Sequence, residues 1–180
     1  MELEDVDRIT AGAIGEPGAR TFFIQARQGD ELATVLVEKE QVQLLAASVL
    51  EVLSRLDVET GTDGPSEEEM ALEEPFEPLW RAGRLSIGYD ESRDRLLLEM
   101  EQLLPEREDE DTEDTEDDED AEQPDRVRVW ATREKMLSLS RHGALVCQKG
   151  RPPCELCGNP KDPEGHACPA TNGHRKLGSS

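Results

Sequence analysis

Aromatic side chains are nearly absent: three Phe, two Trp and one Tyr make up 3% of the 180 residues. With hydrophobic residues at 35%, the core they can build is lean, and part of the chain is not expected to pack. Long apolar runs are lacking as well. No stretch approaches the roughly 20 residues that span a bilayer. The start MELEDVDRIT has neither the basic residues nor the apolar run of a secretory or transit signal. No membrane is therefore expected as a partner, and the cytoplasm is the expected location. Positive charge is also missing, since the formal net charge is -22. Residues 106–122 hold thirteen acids and one Arg, which leaves -10 on the rest of the chain. Such a surface repels nucleic-acid phosphates and anionic membranes, so nucleic acid is not an expected partner. It suits a basic protein partner, or solubility alone. There is no phosphate loop, no dinucleotide fingerprint and no nucleophile elbow; GRLSIG places Ser86 between glycines at the wrong spacing.

What is present is a switch of hydrophobic period, made twice. ITAGAIG reads as a weak strand. RTFFIQARQG alternates Phe22, Ile24 and Ala26 against Phe23, Gln25 and Arg27, and LATVLV is rich in β-branched residues, so both read as strands. From 39 to 56, Val42, Leu45, Ala46, Val49, Leu50, Leu53 and Leu56 follow the i, i+3, i+4, i+7 spacing of an amphipathic helix. Residues 1–58 thus form a βββα unit, and 59–76, with ETGTDGPSEEE, form a linker. The plan returns over 77–149. RAGRLSIGYDES ends in a turn, RLLLEMEQLL and RVRVWAT read as strands, and a helix follows over 133–146. A shift of 74 carries Phe22, Ile24 and Ala26 onto Leu96, Leu98 and Met100; a shift of 94 carries Val35, Val42, Leu45 and Leu50 onto Val129, Met136, Leu139 and Ala144. The expected fold is α+β: antiparallel sheet with two long helices, as tandem βββα units sharing one sheet, and a small zinc-ribbon-like module at the C-terminal end. The acidic insertion 105–125 has no apolar surface to offset its ordering entropy and is expected to be a disordered spacer. Trp80 and Trp130 are expected as core or interface anchors.

All four cysteines and two of three histidines crowd into CQKGRPPCELCGNPKDPEGHACPATNGH. In a reducing compartment, such a cluster reads as metal ligands or redox thiols before disulfides. Cys154 and Cys157 in CELCG have the shape of a zinc knuckle, whose Gly permits the turn that aims backbone N–H groups at sulfur. His166 and Cys168 in GHAC supply a second pair. The connecting GNPKDPEG is made of turn formers that let the chain double back. Metal is expected to hold 150–176 together, because this module has almost no core of its own; 177–180 are a tail. Two residues compete with His166 for the fourth place. Cys147 ends the second helix, where a buried free thiol is common, and His174 sits in a loop. A redox C-x-x-C opens a helix, which Gly158, Pro160 and Pro163 forbid here. A deaminase would need His-x-Glu upstream of its Pro-Cys-x-x-Cys. RPPC supplies only the second half, and Ala144 stands where the Glu after His142 should be. One zinc ion, structural rather than catalytic, is the expected cofactor.

TFFIQARQG, VLVEKEQVQLLA, GRLSIGYDESRDRLLLE, VRVWATREKMLSLSRHG and GRPPCELCGNPKDPEGHACPATNGHR together resemble the actinobacterial family described as domain of unknown function 3090. The resemblance covers nearly the whole chain outside the acidic stretch. It places the family's Cys-x-x-Cys and Gly-His-x-Cys-Pro elements on Cys154, Cys157, His166 and Cys168. Cys147 falls outside that pattern, and His174 stands where the family more often has an aromatic. The resemblance also implies a genomic trio with a kinase-like and a phosphomutase-like protein, and no established activity.

Three functions stay open at this point. The first is a non-enzymatic zinc-binding interaction or regulatory protein with a protein partner. The second is an enzyme acting on a small anionic substrate in a pocket between the repeats, through Arg20, Arg81, Arg84 or His142. His142 alternatively serves as a helix C-terminal charge, with Gly143 as a local stop. The third is single-stranded nucleic-acid binding, against which the charge argues. The cations Lys149, Arg151, Lys161, Arg175 and Lys176 form the one basic stretch, able to meet an anion or the acidic insertion.

Overall fold

The computed structural model describes residues 1–56, 65–105, 123–149, 154–157 and 168. The acidic stretch 106–122, most of the 150–176 module and the 177–180 tail lie outside the described residues.

The chain opens on a strand that its sequence does not signal. β1 (Glu2–Leu3) pairs in parallel with β7 (Arg126–Ala131), matching Glu2 to Arg128 and Leu3 to Val129. Two residues are too few to show alternation. What holds them is tertiary: Leu3 is fully buried, and Glu2 accepts a 2.9 Å hydrogen bond from the Trp130 indole N–H.

Two antiparallel meanders follow, each ending in a helix. The first is β2 (Arg8–Ile14), β3 (Thr21–Gln28) and β4 (Glu31–Val37), then α1 (Lys39–Arg55). The second is β5 (Ala82–Asp90), β6 (Arg95–Gln102) and β7, then α2 (Arg133–Gln148). Gly29 makes the tight β3–β4 turn possible with φ at 58°, a conformation that costs a Cβ-bearing residue more. The fold is the α+β class with antiparallel sheet and two helices. The expectation of one shared sheet is corrected: β1-β7-β6-β5 and β2-β3-β4 are separate sheets. Where they meet, β4 carries a single parallel bridge from Leu36 to Arg81, with the Leu36 N–H donating to the Trp80 carbonyl at 3.0 Å and the Leu79 N–H donating to the Thr34 carbonyl at 2.9 Å. One bridge is too short a ladder to merge two twisted meanders.

Side-chain rows cross each sheet on its core face. In the first sheet they are Ala13–Phe22–Val37, Ala11–Ile24–Val35 and Ile9–Ala26–Ala33. In the second they are Tyr89–Leu96–Ala131, Ile87–Leu98–Val129 and Leu85–Met100–Val127. These rows and the buried faces of both helices form one continuous core. The helices touch closely. Ser140 donates its hydroxyl to the Ala46 carbonyl at 2.7 Å, which satisfies a buried polar group. A Cβ on Gly143 would stand 3.1 Å from Val42 and 3.6 Å from Ala11, so this glycine marks where α2 lies against both α1 and β2. It is therefore not a helix stop: α2 continues to Gln148, and His142 sits within it rather than at its end. Packing against α1 outweighs the roughly 1 kcal/mol helix penalty of a glycine.

The stretch after α1, read as linker, packs over 65–76 against the first sheet. Met70 is buried, and Thr10 donates its hydroxyl to the Met70 carbonyl at 2.6 Å. Leu72 lies over Gly12. Gln25 binds the backbone of Glu73 on both sides, its amide oxygen accepting from the N–H at 2.8 Å and its amide nitrogen donating to the carbonyl at 2.8 Å. The Glu73 carboxylate closes the strap between Arg8, at 2.5 Å, and Arg27, at 2.7 Å from Nε. These arginines hold it below the usual carboxylate range, Arg27 contributing most.

Candidate metal centre

Residues 154–157 form a tight turn, and Cys168 comes back to it from eleven residues farther on, as the knuckle-plus-return pattern requires. The sulfurs of Cys154, Cys157 and Cys168 all lie within 4.8 Å of one another. Cys154 Sγ and Cys168 Sγ are 3.9 Å apart. That is far outside a disulfide, at ~2.05 Å. Two thiolates at ~2.3 Å from one tetrahedral ion stand about 3.8 Å apart, so this spacing fits a shared metal. The turn also points backbone N–H groups at sulfur. Hydrogen bonds from the Leu156 and then the Cys157 N–H lower the Cys154 thiol pKa, favouring the thiolate that binds metal. Cys168 is buried while Cys154 and Cys157 are half-buried, so the cluster is partly withdrawn from water. Three nearby cysteines of this kind can bind a metal ion.

Of the four expected ligands, the structure thus brings together Cys154, Cys157 and Cys168. His166 and the alternative His174 lie outside the described residues. Cys147 is placed elsewhere, on the buried face of α2, with its thiol directed at the Lys39 carbonyl at 3.7 Å. Burial raises its pKa, as for a structural thiol.

Of the four candidate catalytic groups, Arg20 and His142 line one cavity, and Arg81 and Arg84 lie apart from it. Arg20 caps the end of α2, donating to the carbonyls of Val146 at 3.3 Å and Lys149 at 2.5 Å. It shares a cavity of about 390 Å³ with His142 and Lys149. Lys149 is paired with Glu67 at 2.5 Å, and burial followed by the Lys149 charge lowers the His142 pKa. Arg81 faces Glu38 at 3.3 Å, and Arg84 lines a different groove, between α1 and β5. Trp130 is buried under the Arg93 guanidinium, 4.7 Å from the ring centre. The ion cluster that sequence reasoning missed is Arg8–Glu73–Arg27. Its members are 46 and 65 residues apart, so no local spacing could disclose it. Among the described residues no helix is long and apolar enough to cross a membrane.

No curated protein and no solved structure matches the chain. A family model does: DUF3090, protein of unknown function, matches residues 1–168, a span that ends on the third cysteine of the cluster. The chain belongs to the DUF3090 family.

Proposed function

We propose that this chain is a zinc-binding protein that acts as a non-enzymatic interaction or regulatory protein. One ion sits on Cys154, Cys157 and Cys168, with His166 as the fourth ligand. The observation that carries the metal is the three-thiol cluster, whose 3.9 Å sulfur spacing suits a tetrahedral ion. Zinc is favoured among metals by three soft thiolates with an imidazole. Its role is structural, tying a nearly coreless stretch back onto one turn. The interaction role is supported by the fate of two of the four candidate catalytic groups: Arg20 and Arg81 are engaged with structural partners. Single-stranded nucleic acid is disfavoured by Glu99 and Glu101, which face Arg128 and Arg126 across the second sheet, and by the -22 charge.

Elemental analysis of the full chain tests the metal. The expected result is one zinc per chain, lost in Cys154→Ser and weakened against a competing chelator in His166→Ala. Full zinc content in Cys154→Ser would sink the ligand set.

A further inference from the structure

The two βββα halves superimpose by their pairing. Positions 76 apart in β2 and β5, 74 apart in β3 and β6, and 94 apart in β4 and β7 share the same cross-strand neighbours. The buried faces of the helices obey the shift of 94 too: Val42, Leu45, Ala46, Val49 and Leu53 answer to Met136, Leu139, Ser140, Gly143 and Cys147, all buried. The Ser140–Ala46 hydrogen bond then joins counterparts, as a local two-fold relation produces.

Against that equivalence, one groove is covered by a segment of the chain, which leaves a cavity of about 390 Å³ beside Arg20 and His142, while among the described residues its counterpart has no such cover. In the first half, the groove between the free edge of β2 and α2 takes in segment 65–76. Met70 plugs it and is 4% exposed. Glu67 pairs with Lys149, and the carbonyls of Glu69 and Ala71 accept from Arg8. On the floor, Ile9 and Val146 are buried. In the second half, the groove between the free edge of β5 and α1 has a volume of about 470 Å³. Its floor residues Leu85 and Val52, counterparts of Ile9 and Val146, remain partly exposed, and Leu44 at its mouth is 69% exposed. Val49 stands where the first half has Gly143, so α1 lacks the bare backbone through which α2 lies against β2.

The cations match as well. Arg84 stands in the place of Arg8, and Arg55 in the place of Lys149. The Arg84 side chain has no hydrogen-bond or ion-pair partner among the described residues, and the Arg55 side chain reaches only Glu51 on its own helix, at 2.5 Å. Gly88 keeps the room that Gly12 gives Leu72: a Cβ there would meet nothing closer than Leu97 at 3.7 Å.

We propose that the α1–β5 groove is a docking site for a partner-protein segment with the chemistry of 65–76, acidic residues flanking a Met or Leu. The apolar floor takes the Met or Leu, and Arg84 and Arg55 take carboxylates and backbone carbonyls. The chain's own such segment is engaged in the first groove, and among the described residues none occupies the second, which can take one brought by another protein. This rests on the reading of the chain as an interaction protein but not on the metal, so zinc content and docking fail separately.

A labelled peptide of sequence PSEEEMALEEPF, titrated with the full chain and followed by fluorescence anisotropy, tests it. Saturable binding is expected, weakened at least about tenfold, or about 1.4 kcal/mol, by Arg84→Glu and by Leu44→Glu. Both replaced residues are exposed, so folding is not at stake; unchanged zinc content and circular dichroism serve as checks. Replacing the peptide Met by Asp should abolish binding. No saturable binding, or equal binding by wild type and both variants, would overturn the proposal. A wild-type dimer in sedimentation that Arg84→Glu dissolves would overturn it differently, by assigning the groove to a second copy of the chain.

Discussion

Replacing Gly12 with Ala tests whether segment 65–76 rests on the first sheet as described. Gly12 lies in β2 opposite Phe23. A Cβ added there would stand 2.5 Å from Leu72 Cγ and under 3 Å from both its methyl carbons. Carbon atoms pack at about 3.5–4.0 Å, so Leu72 must retreat by about 1 Å and loosen the strap. Overpacking of this kind costs about 1–3 kcal/mol. Alanine in place of glycine within a strand returns about 0.5–1 kcal/mol. The expected net result in urea unfolding is a loss of roughly 0.5–2 kcal/mol for Gly12→Ala. Leu72→Ala removes the atoms that clash. In that background, Gly12→Ala should change sign and stabilise by about 0.5–1 kcal/mol, giving a coupling of about 1–3 kcal/mol between two residues 60 apart in sequence. Equal destabilisation in both backgrounds would refute the placement of Leu72 over Gly12, and with it the filled groove.

Other consequences are as direct. Glu73 has its pKa lowered by Arg27 and Arg8, so its contribution is present above the unfolded carboxylate value and fades as pH falls through the folded one. Glu73→Gln should therefore be less stable than wild type by about 1–2 kcal/mol at pH 7, and the gap should close in melts run progressively below about pH 4; a gap constant from pH 7 to 3 would contradict the ion cluster. Cys147→Ser should retain the zinc stoichiometry of wild type, since that thiol faces the Lys39 carbonyl; zinc loss would return Cys147 to the ligand set. Gly143→Leu should cost at least about 2 kcal/mol of unfolding free energy by forcing α2 from Val42 and Ala11, and a neutral effect would argue against the close helix contact.

Periodicity disclosed most of the elements because each side-chain face is set locally. The alternation of Phe22, Ile24 and Ala26 puts them on one face, and Val42, Leu45, Ala46, Val49 and Leu53 do the same for a helix, whatever those faces later meet. β1 was hidden because two residues carry no period. The role of 65–76 was hidden because its acids and turns match those of a solvated connection, and only Met70 and Leu72 betray a packed face. Gly143 misled for a related reason: locally a glycine ends helices, and only the neighbouring α1 turns it into a contact.

For the candidate site, the sequence determined the ligand types, because the two-residue spacing of Cys154 and Cys157 confines both thiols to one turn. That Cys168 returns to them, and that Cys147 does not, was decided by tertiary structure. Cys147 lies only seven residues before Cys154, yet helix α2 commits it to the core. The division into two sheets, the filling of one groove and the exposure of its counterpart are likewise tertiary outcomes. They depend on which surfaces meet, and those surfaces are contributed by residues tens of positions apart, whose separation in sequence carries no record of their distance in space.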